Sequence, residues 1–516
     1  MRSRALTVVA AMLVGIGCGS SGAGTGGTTG SGSGGAGGGS GGSGSSGGSG
    51  GGSGGGQTDG GVDAGTDGGT DAGTDAGVGT SDGGTDGGTT TGGVSITIPN
   101  AAGWTFYQQK DGLTSSEVMG ASFDEGGNLW VAGGTYGVYV MRAGSSTFQQ
   151  FTLADGLHPY GYMADGSPAD TSPYLEAISV SGGRAGIGFV GYMGKPPPAG
   201  HLECEDNWDS DPTPDPAIYK SGDADKLTLN GAGIDVVHYD IFSGPNVVGG
   251  ELRGREKLCN VFRVVYEHGT NNVWFGANHG FAWGHADFAG DPTCDGQYPG
   301  YKASANCAGV WEHVHPAIGG SKGEILTADY RGVAVDLTQP GNVWFGGLIR
   351  TTLFKMGSMG DYYLAANDSQ TNQANIIDVW PDAVPDYPTP AQRVDDAVSG
   401  IVSTPDGSIF VSSLYYGVRH LDHAGGFMGD ITNLQDPHVT ALARDPGDGS
   451  IWIGYTGWGF GVSQYMPDGT MRNYNYAALG QDLSSSEVSD IQVDTFSSPH
   501  RVVVSFRNGV VGIFQP

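Results

Sequence analysis

The sequence predicts an all-β fold: a seven-bladed β-propeller closed by an N-terminal strand and preceded by a disordered Gly/Ser/Asp-rich linker. Three observations carry this. A short apolar run ending in small residues occurs seven times, as "NLWVAGG" at 128, "AGIGFVGY" at 185, "NVWFGAN" at 272, "NVWFGGL" at 342, "SIFVSSL" at 408, "SIWIGYT" at 450 and "RVVVSFR" at 501. Most of these follow another apolar or alternating run closed by Asp, Gly or Asn, such as "VSGIVSTPDGS", which suits a tight hairpin. Finally, the phrase "WTFYQQKDGLTSSEV" at Trp104 returns near the C-terminus as "YNYAALGQDLSSSEV".

The N-terminus reads as an export signal over residues 1–18. Arg2 and Arg4 make a basic start, and Ala5 to Gly17 is an uncharged apolar run too short to span a bilayer. "LVGIGC" resembles a lipobox, which implies cleavage before Cys18 and lipidation of that cysteine. Gly15 stands where the pattern has Leu, so ordinary cleavage and secretion is the alternative. Residues 19–95 read as a linker, because glycine without neighbouring side chains to bury cannot offset its backbone entropy. Asp59, Asp63, Asp67, Asp71 and Asp75 recur there with no Lys or Arg between them, and the like charges keep the chain extended. As a Gly-rich coil the linker would reach about 50 Å.

Residues 96–516 read as one propeller. Strands resembling "YGVYVMR", "YGVRHLD", "FGVSQYM" and "NGVVGIF" follow the second runs, and "FQQFTL" at 148 supplies a fourth strand. Four antiparallel strands repeated at this spacing suit blades, and second runs apolar without alternation suit sheets covered on both faces. A pair of β-sandwiches is the competing architecture. The last unit stops after its third strand, while "WTFYQQ" stands alone at the start, where a fourth strand precedes "DGL". That strand would complete the seventh blade and remove two open edges.

The segment "DGLTSSEVMGASFDEGGNLWVAGGTYGV" at 111–138 resembles the repeat of the two-component regulator propeller family. The likeness is fair at 395–421 and 436–462 and weaker elsewhere. It implies a propeller with a binding role. The family often supplies the extracytoplasmic sensor of hybrid histidine kinases, yet no kinase segment is read here, so signalling does not carry over. The resemblance brings no catalytic residues.

In a propeller, the loops entering each first strand share a face with the second-to-third-strand turns. They present Ser115, Ser116, Glu117, Tyr136, His279, Arg350, Asp395, Asp396, Tyr415, Tyr416, His438, Trp458 and Arg507. Aromatic faces interleaved with charged groups suit a polar, ring-shaped ligand such as a sugar. The competing explanation for each residue singly is turn or channel packing. The same rule pairs Cys204 with Cys259 and, within one insertion, Cys294 with Cys307, out of three connectivities. With Cys18 lipidated these four form an even set, suited to an oxidising compartment. In "ECEDNWDSDPTPDP", Asp206, Asp209 and Asp211 could hold a structural Ca²⁺, although a solvated acidic loop is favoured because EF-hand spacing is absent. No other cofactor is indicated.

His313 and His315 in "WEHVHP" would share a strand face, as the start of a metal site lacking a third ligand; His285 in "WGHAD" is similar. Strand histidines are the favoured reading of all three. The G-x-S-x-G match lies inside the linker, where no strand–turn–helix supports it. A lyase or hydrolase using His279, Tyr416 and Arg350 as base, acid and charge neutraliser is one alternative. An interaction scaffold for envelope proteins is another. The favoured function is non-catalytic capture of a carbohydrate or other polar ligand by a monomer. It would be held by an N-terminal lipid in the cell envelope, at the outer membrane, facing periplasm or cell surface. A net charge of −30 argues against nucleic-acid partners.

Overall fold

A computed structural model of the chain describes residues 94–159, 174–194, 222–239, 242–248, 251–257, 259–278, 280–287, 312–314, 330–347, 350–355, 376–380, 397–456, 460–480 and 486–516. Two strands open it, β1 (Ser95–Thr97) and β2 (Trp104–Tyr107). A first sheet follows in chain order: β3 (Gly120–Phe123), β4 (Leu129–Ala132), β5 (Val138–Met141) and β6 (Phe148–Phe151). The second has β7 (Ala177–Gly182), β8 (Ile187–Tyr192), β9 (Ala224–Asn230) and β10 (Gly233–Tyr239). A separate hairpin, β11 (Phe242–Val248) with β12 (Glu251–Lys257), comes next.

The third sheet has β13 (Cys259–Glu267), β14 (Asn272–Asn278), β15 (Gly280–His285) and β16 (Glu312–Val314). The fourth has β17 (Gly332–Val335), β18 (Asn342–Gly347), β19 (Arg350–Lys355) and β20 (Ile376–Trp380). The fifth has β21 (Val398–Ser403), β22 (Ile409–Ser413), β23 (Gly417–Leu421) and β24 (Phe427–Asp430). In the sixth, β25 (Val439–Arg444), β26 (Ile451–Tyr455), β27 (Val462–Tyr465) and β28 (Met471–Tyr474) are joined by β1, which pairs in parallel with β28. The seventh runs β29 (Val488–Asp494), β30 (Arg501–Phe506), β31 (Val510–Phe514) and then β2, antiparallel to β31 with Trp104 opposite Phe514 and Tyr107 opposite Val511.

This is the sheet arrangement of a β-propeller. The first strand of each sheet packs on the first strand of the next, and β29 packs on β3. The cores lie between sheets. Trp130 and Val190 belong to the cluster between the first and second, Phe189 and Phe275 to that between the second and third, and Trp452 and Val504 to that between the sixth and seventh. Close approach of the sheets dictates particular glycines. A Cβ on Gly182 would lie 2.0 Å from the Phe123 carbonyl oxygen, and one on Gly188 would lie 2.5 Å from the Trp130 ring.

Each predicted second run forms a strand, and the repeated turn has a physical basis. Where the first strand ends, a carboxylate accepts the indole N–H of the next strand's Trp: Asp124 from Trp130 at 2.9 Å, Glu267 from Trp274 at 2.9 Å and Asp336 from Trp344 at 3.2 Å. A buried indole donor needs such an acceptor. The seventh sheet has no Trp in its second strand, and Asp494 instead takes the Arg501 guanidinium, which lies 3.6 Å over the Phe123 ring of the first sheet.

Three elements depart from the sequence reading. Ser95 lies in β1 and not in the linker, the β11–β12 hairpin was not expected, and Tyr476–Leu479 forms one helical turn capped by Asn475. Among the described residues no helix is long and apolar enough to cross a membrane.

Asp124 is fully buried and also accepts the backbone N–H groups of Gly126, Asn128 and, from the second sheet, Gly186. Asp124→Ala orphans these donors, so urea unfolding is expected to show a loss of about 3 kcal/mol. An unchanged midpoint would mean that the turn and the indole find other acceptors.

Candidate functional site

The loop entering a first strand and the second-to-third-strand turn of the preceding sheet meet at each described joint. Gly134, in the β4–β5 turn, exchanges backbone hydrogen bonds with Ala177 at the start of β7. Gly417 donates to the Pro437 carbonyl ahead of β25, and a Cβ on Gly509 would lie 2.5 Å from the Ser115 carbonyl oxygen. The expected common face is therefore present at these joints, and the described members of the predicted set fall into two groups upon it.

One group spans the seventh, first and second sheets. The Ser116 hydroxyl donates to the Tyr136 hydroxyl at 3.4 Å, and Tyr136 is exposed. Glu117 faces Gly134, where a Cβ would lie 2.6 Å from its Oε2. Nearby, the Tyr174 hydroxyl donates to the Glu176 carboxylate, and burial followed by that bond raises its pKa. Arg507 is held by Glu487, Nη1 to Oε1 at 2.7 Å. Ser115 is a turn residue: its buried hydroxyl donates to the Gly133 carbonyl at 3.0 Å and accepts the Glu117 N–H at 2.9 Å.

The other group sits where the fifth and sixth sheets meet. Tyr415 and Tyr416 have ring centroids 6.4 Å apart, and the Tyr415 ring lies 6.5 Å from that of His438. The Ser413 hydroxyl accepts both tyrosine N–H groups, at 3.0 and 3.2 Å, and so fixes the turn. His438 is oriented by Asp436, Nδ1 to Oδ1 at 2.6 Å. Tyr416 is 45% exposed, which leaves its ring open to a ligand.

Two assignments need correction. Arg350 opens β19, paired with Gly347, and so stands in the sheet ladder; Cys259 opens β13 opposite Asn278 and so is not in the entering loop. In both cases the ladder continues beyond the turn residues that appeared to end it. His313 lies in β16 opposite Ala282, and His285 closes β15. His279, Asp395, Asp396, Trp458, Cys18, Cys204, Cys294, Cys307, Asp206, Asp209, Asp211 and His315 lie outside the described residues. Among the described residues no group of three or more His, Cys, Asp or Glu is arranged to hold a metal ion.

The sequence reading missed a buried polar cluster at the same end of the second sheet. His238 on β10 stands opposite Asp225 on β9, with Nδ1 2.9 Å from Asp225 Oδ1 and Nε2 3.4 Å from Asp223 Oδ2. Asp225 Oδ2 also accepts the Tyr192 hydroxyl and the His158 N–H, each at 2.7 Å. Both aspartates are fully buried. Burial alone would push the imidazole pKa down, but two carboxylates outweigh it and lift His238 to about 9. The two carboxylates thus favour the protonated ring, while burial also raises the pKa of Asp225. The available signal was the alternation of "DAD" after a long loop with "VVHY", which no pairing register linked in advance.

The folded pKa of His238, about 9, lies above the unfolded value of 6.5. Its contribution is therefore complete below pH 6.5 and is lost as pH rises through 9. Urea midpoints measured from pH 6 to pH 10 should fall by on the order of 3 kcal/mol in unfolding free energy. His238→Gln should be less stable at pH 6 and flatter across that window. An equally steep fall in the variant would assign the effect to other groups.

No protein-family model matches the sequence, and no curated protein matches it. Among solved structures, the chain is similar to YCF48 bound to D1 peptide, at a TM-score of 0.45 and 12% identity, over 81% of this chain and 99% of that one.

Proposed function

We propose that the folded part is a closed seven-bladed propeller that captures a carbohydrate or similar polar ligand without turning it over. In this reading it is exported and held at the cell envelope by a lipid on Cys18, and its repeats are kin to the two-component regulator propeller repeats. The ring of first-strand contacts, from β3 round to β29 and back, supports seven blades and closure. The β2–β31 pairing supports closure by the N-terminal strand. The observation that carries the binding reading is the exposed ring of Tyr416 beside Tyr415 and His438. Ser413 and Asp436 hold this group in place, so little side-chain freedom is left to lose when a sugar face stacks on it.

Closure has its own test. Trp104 on β2 packs within 5.3 Å of Phe514, 5.7 Å of Tyr474 and 6.2 Å of Trp452, centroid to centroid. Deleting Trp104–Gln109 removes this partly buried aromatic and a strand of the ladder, and is expected to cost on the order of 3 kcal/mol. Unchanged melting would overturn closure by this strand.

The ligand reading is tested on a glycan array with the purified protein. A bound glycan recovered intact, with affinity weakened roughly tenfold by Tyr416→Ala, is the expected result. Depolymerisation of the glycan would favour the lyase or hydrolase alternative. No glycan bound, with an envelope protein crosslinked through this face, would favour the scaffold. Full affinity in the variant would move the ligand to another surface.

A further inference from the structure

One position of the first strand, defined by its partner on the second strand, is small in five sheets. It is Gly120 in the first, Ser179 in the second, and Gly332, Gly400 and Ala441 in the fourth to sixth. Here the first strands approach closely: the Ser179 hydroxyl accepts the Val264 N–H of the next sheet at 3.0 Å, and a Cβ on Gly400 would lie 2.9 Å from Leu442 N. Two sheets break the rule, and they break it with opposite charges. The third has Arg263, opposite Gly276, and the seventh has Asp490, opposite Ser505.

These two side chains meet, Arg263 Nη1 to Asp490 Oδ1 at 2.5 Å, although 227 residues separate them. Asp490 is 6% exposed and Arg263 22%, so the pair is largely out of water. Gln492, also on β29, donates to the Val180 carbonyl of the second sheet at 2.9 Å and to Asp490 Oδ2 at 2.8 Å. By first-strand packing the neighbours of the seventh sheet are the sixth and the first. Its side chains therefore reach past β3 to the second and third sheets. The passage runs close over Gly120, where a Cβ would lie 3.2 Å from Asp490 Oδ2.

We infer that Arg263, Asp490 and Gln492 form a tie across the inside of the ring. It fastens the seventh sheet, which is built from both ends of the folded region, to the second and third. The tie is a lock on the ring separate from the β2–β31 pairing, and its place inside a ring rests on the closed-propeller reading. Charge complementarity at the only two positions that break the small-residue rule is what a selected pair looks like. Removing one partner leaves the other charge buried and unpaired, which is far more costly than the loss of a surface ion pair.

The test is a double-mutant cycle on the full chain, read as urea midpoints: Arg263→Gln, Asp490→Asn and the two together. Each single variant is expected to lower the midpoint clearly, and the double variant by no more than the worse single. Additive losses, or no loss in either single, would overturn the tie. Should the single variants fail to fold, Gly120→Ala serves instead. A strand glycine replaced by alanine ordinarily gains stability, whereas here the new methyl presses on Asp490 and the midpoint should fall. An unchanged or raised midpoint would overturn the geometry. A non-additive cycle beside a harmless deletion of Trp104–Gln109 would keep the tie and remove closure by β2. An additive cycle beside a damaging deletion would do the reverse.

Discussion

The pairing of residues 104–107 with 511–514 joins the two ends of the folded region, and the closed ring proposed above depends on it. In the closed ring proposed above, the seven four- and five-stranded sheets cover one another's faces, and none tolerates a missing neighbour. An open ring would expose two apolar sheet faces and two unpaired edges, the surface that leads to aggregation. Trp104 makes the junction more than a backbone ladder. Its ring lies among Phe106, Tyr474, Phe514 and Trp452, so the N-terminal strand is bound into the core between the sixth and seventh sheets. β1 then continues onto the edge of β28, with Ser95 Oγ accepting from Asn473 Nδ2 at 2.9 Å. One short segment therefore straps two adjacent sheets.

Much of this was legible because it is local and repeated. The pattern of a carboxylate, a tight turn and an apolar run containing Trp is a hydrogen-bond requirement written in sequence: the indole needs an acceptor, and the residue closing the preceding strand supplies it. The pattern lapses in the sixth sheet, where Trp452 Nε1 is buried without a hydrogen-bond partner. Asp445 of the sixth sheet takes His500 Nδ1 of the seventh at 2.6 Å, in place of an indole from its own sheet. The lone "WTFYQQ" was legible by subtraction, because every other described unit has four strands of its own.

What was not legible depends on register between distant segments. His238, Asp223 and Asp225 are unremarkable until β9 and β10 pair, when an imidazole is set between two buried carboxylates. Arg263 and Asp490 lie in different repeats, and nothing local says that each is the exception at its position. β1 pairs in parallel and is exposed along its length, so no alternation marks it. The loop-to-face rule placed Tyr136, Tyr415, Tyr416, His438 and Arg507 near sheet ends, but it could not say that Arg507 is already held by Glu487 or that the set divides between two joints. Arg350 and Cys259 each open a strand, opposite Gly347 and Asn278, because the ladders run further than turn chemistry suggests.

The functional proposal follows the same division of labour. Small residues and buried carboxylates fix the sheets, and the exposed aromatic group at the joint of the fifth and sixth sheets is the proposed recognition surface. Closure by β2 would make the seventh sheet as firm a part of the body as any other. Native-state hydrogen exchange on the intact protein tests it most directly, by comparing amides of β30 and β31 with those of β4 and β5. Matching protection in the two sheets, set by global unfolding, is expected. Exchange of β30 and β31 through a separate, lower-energy opening, while β4 and β5 stay protected, would contradict it.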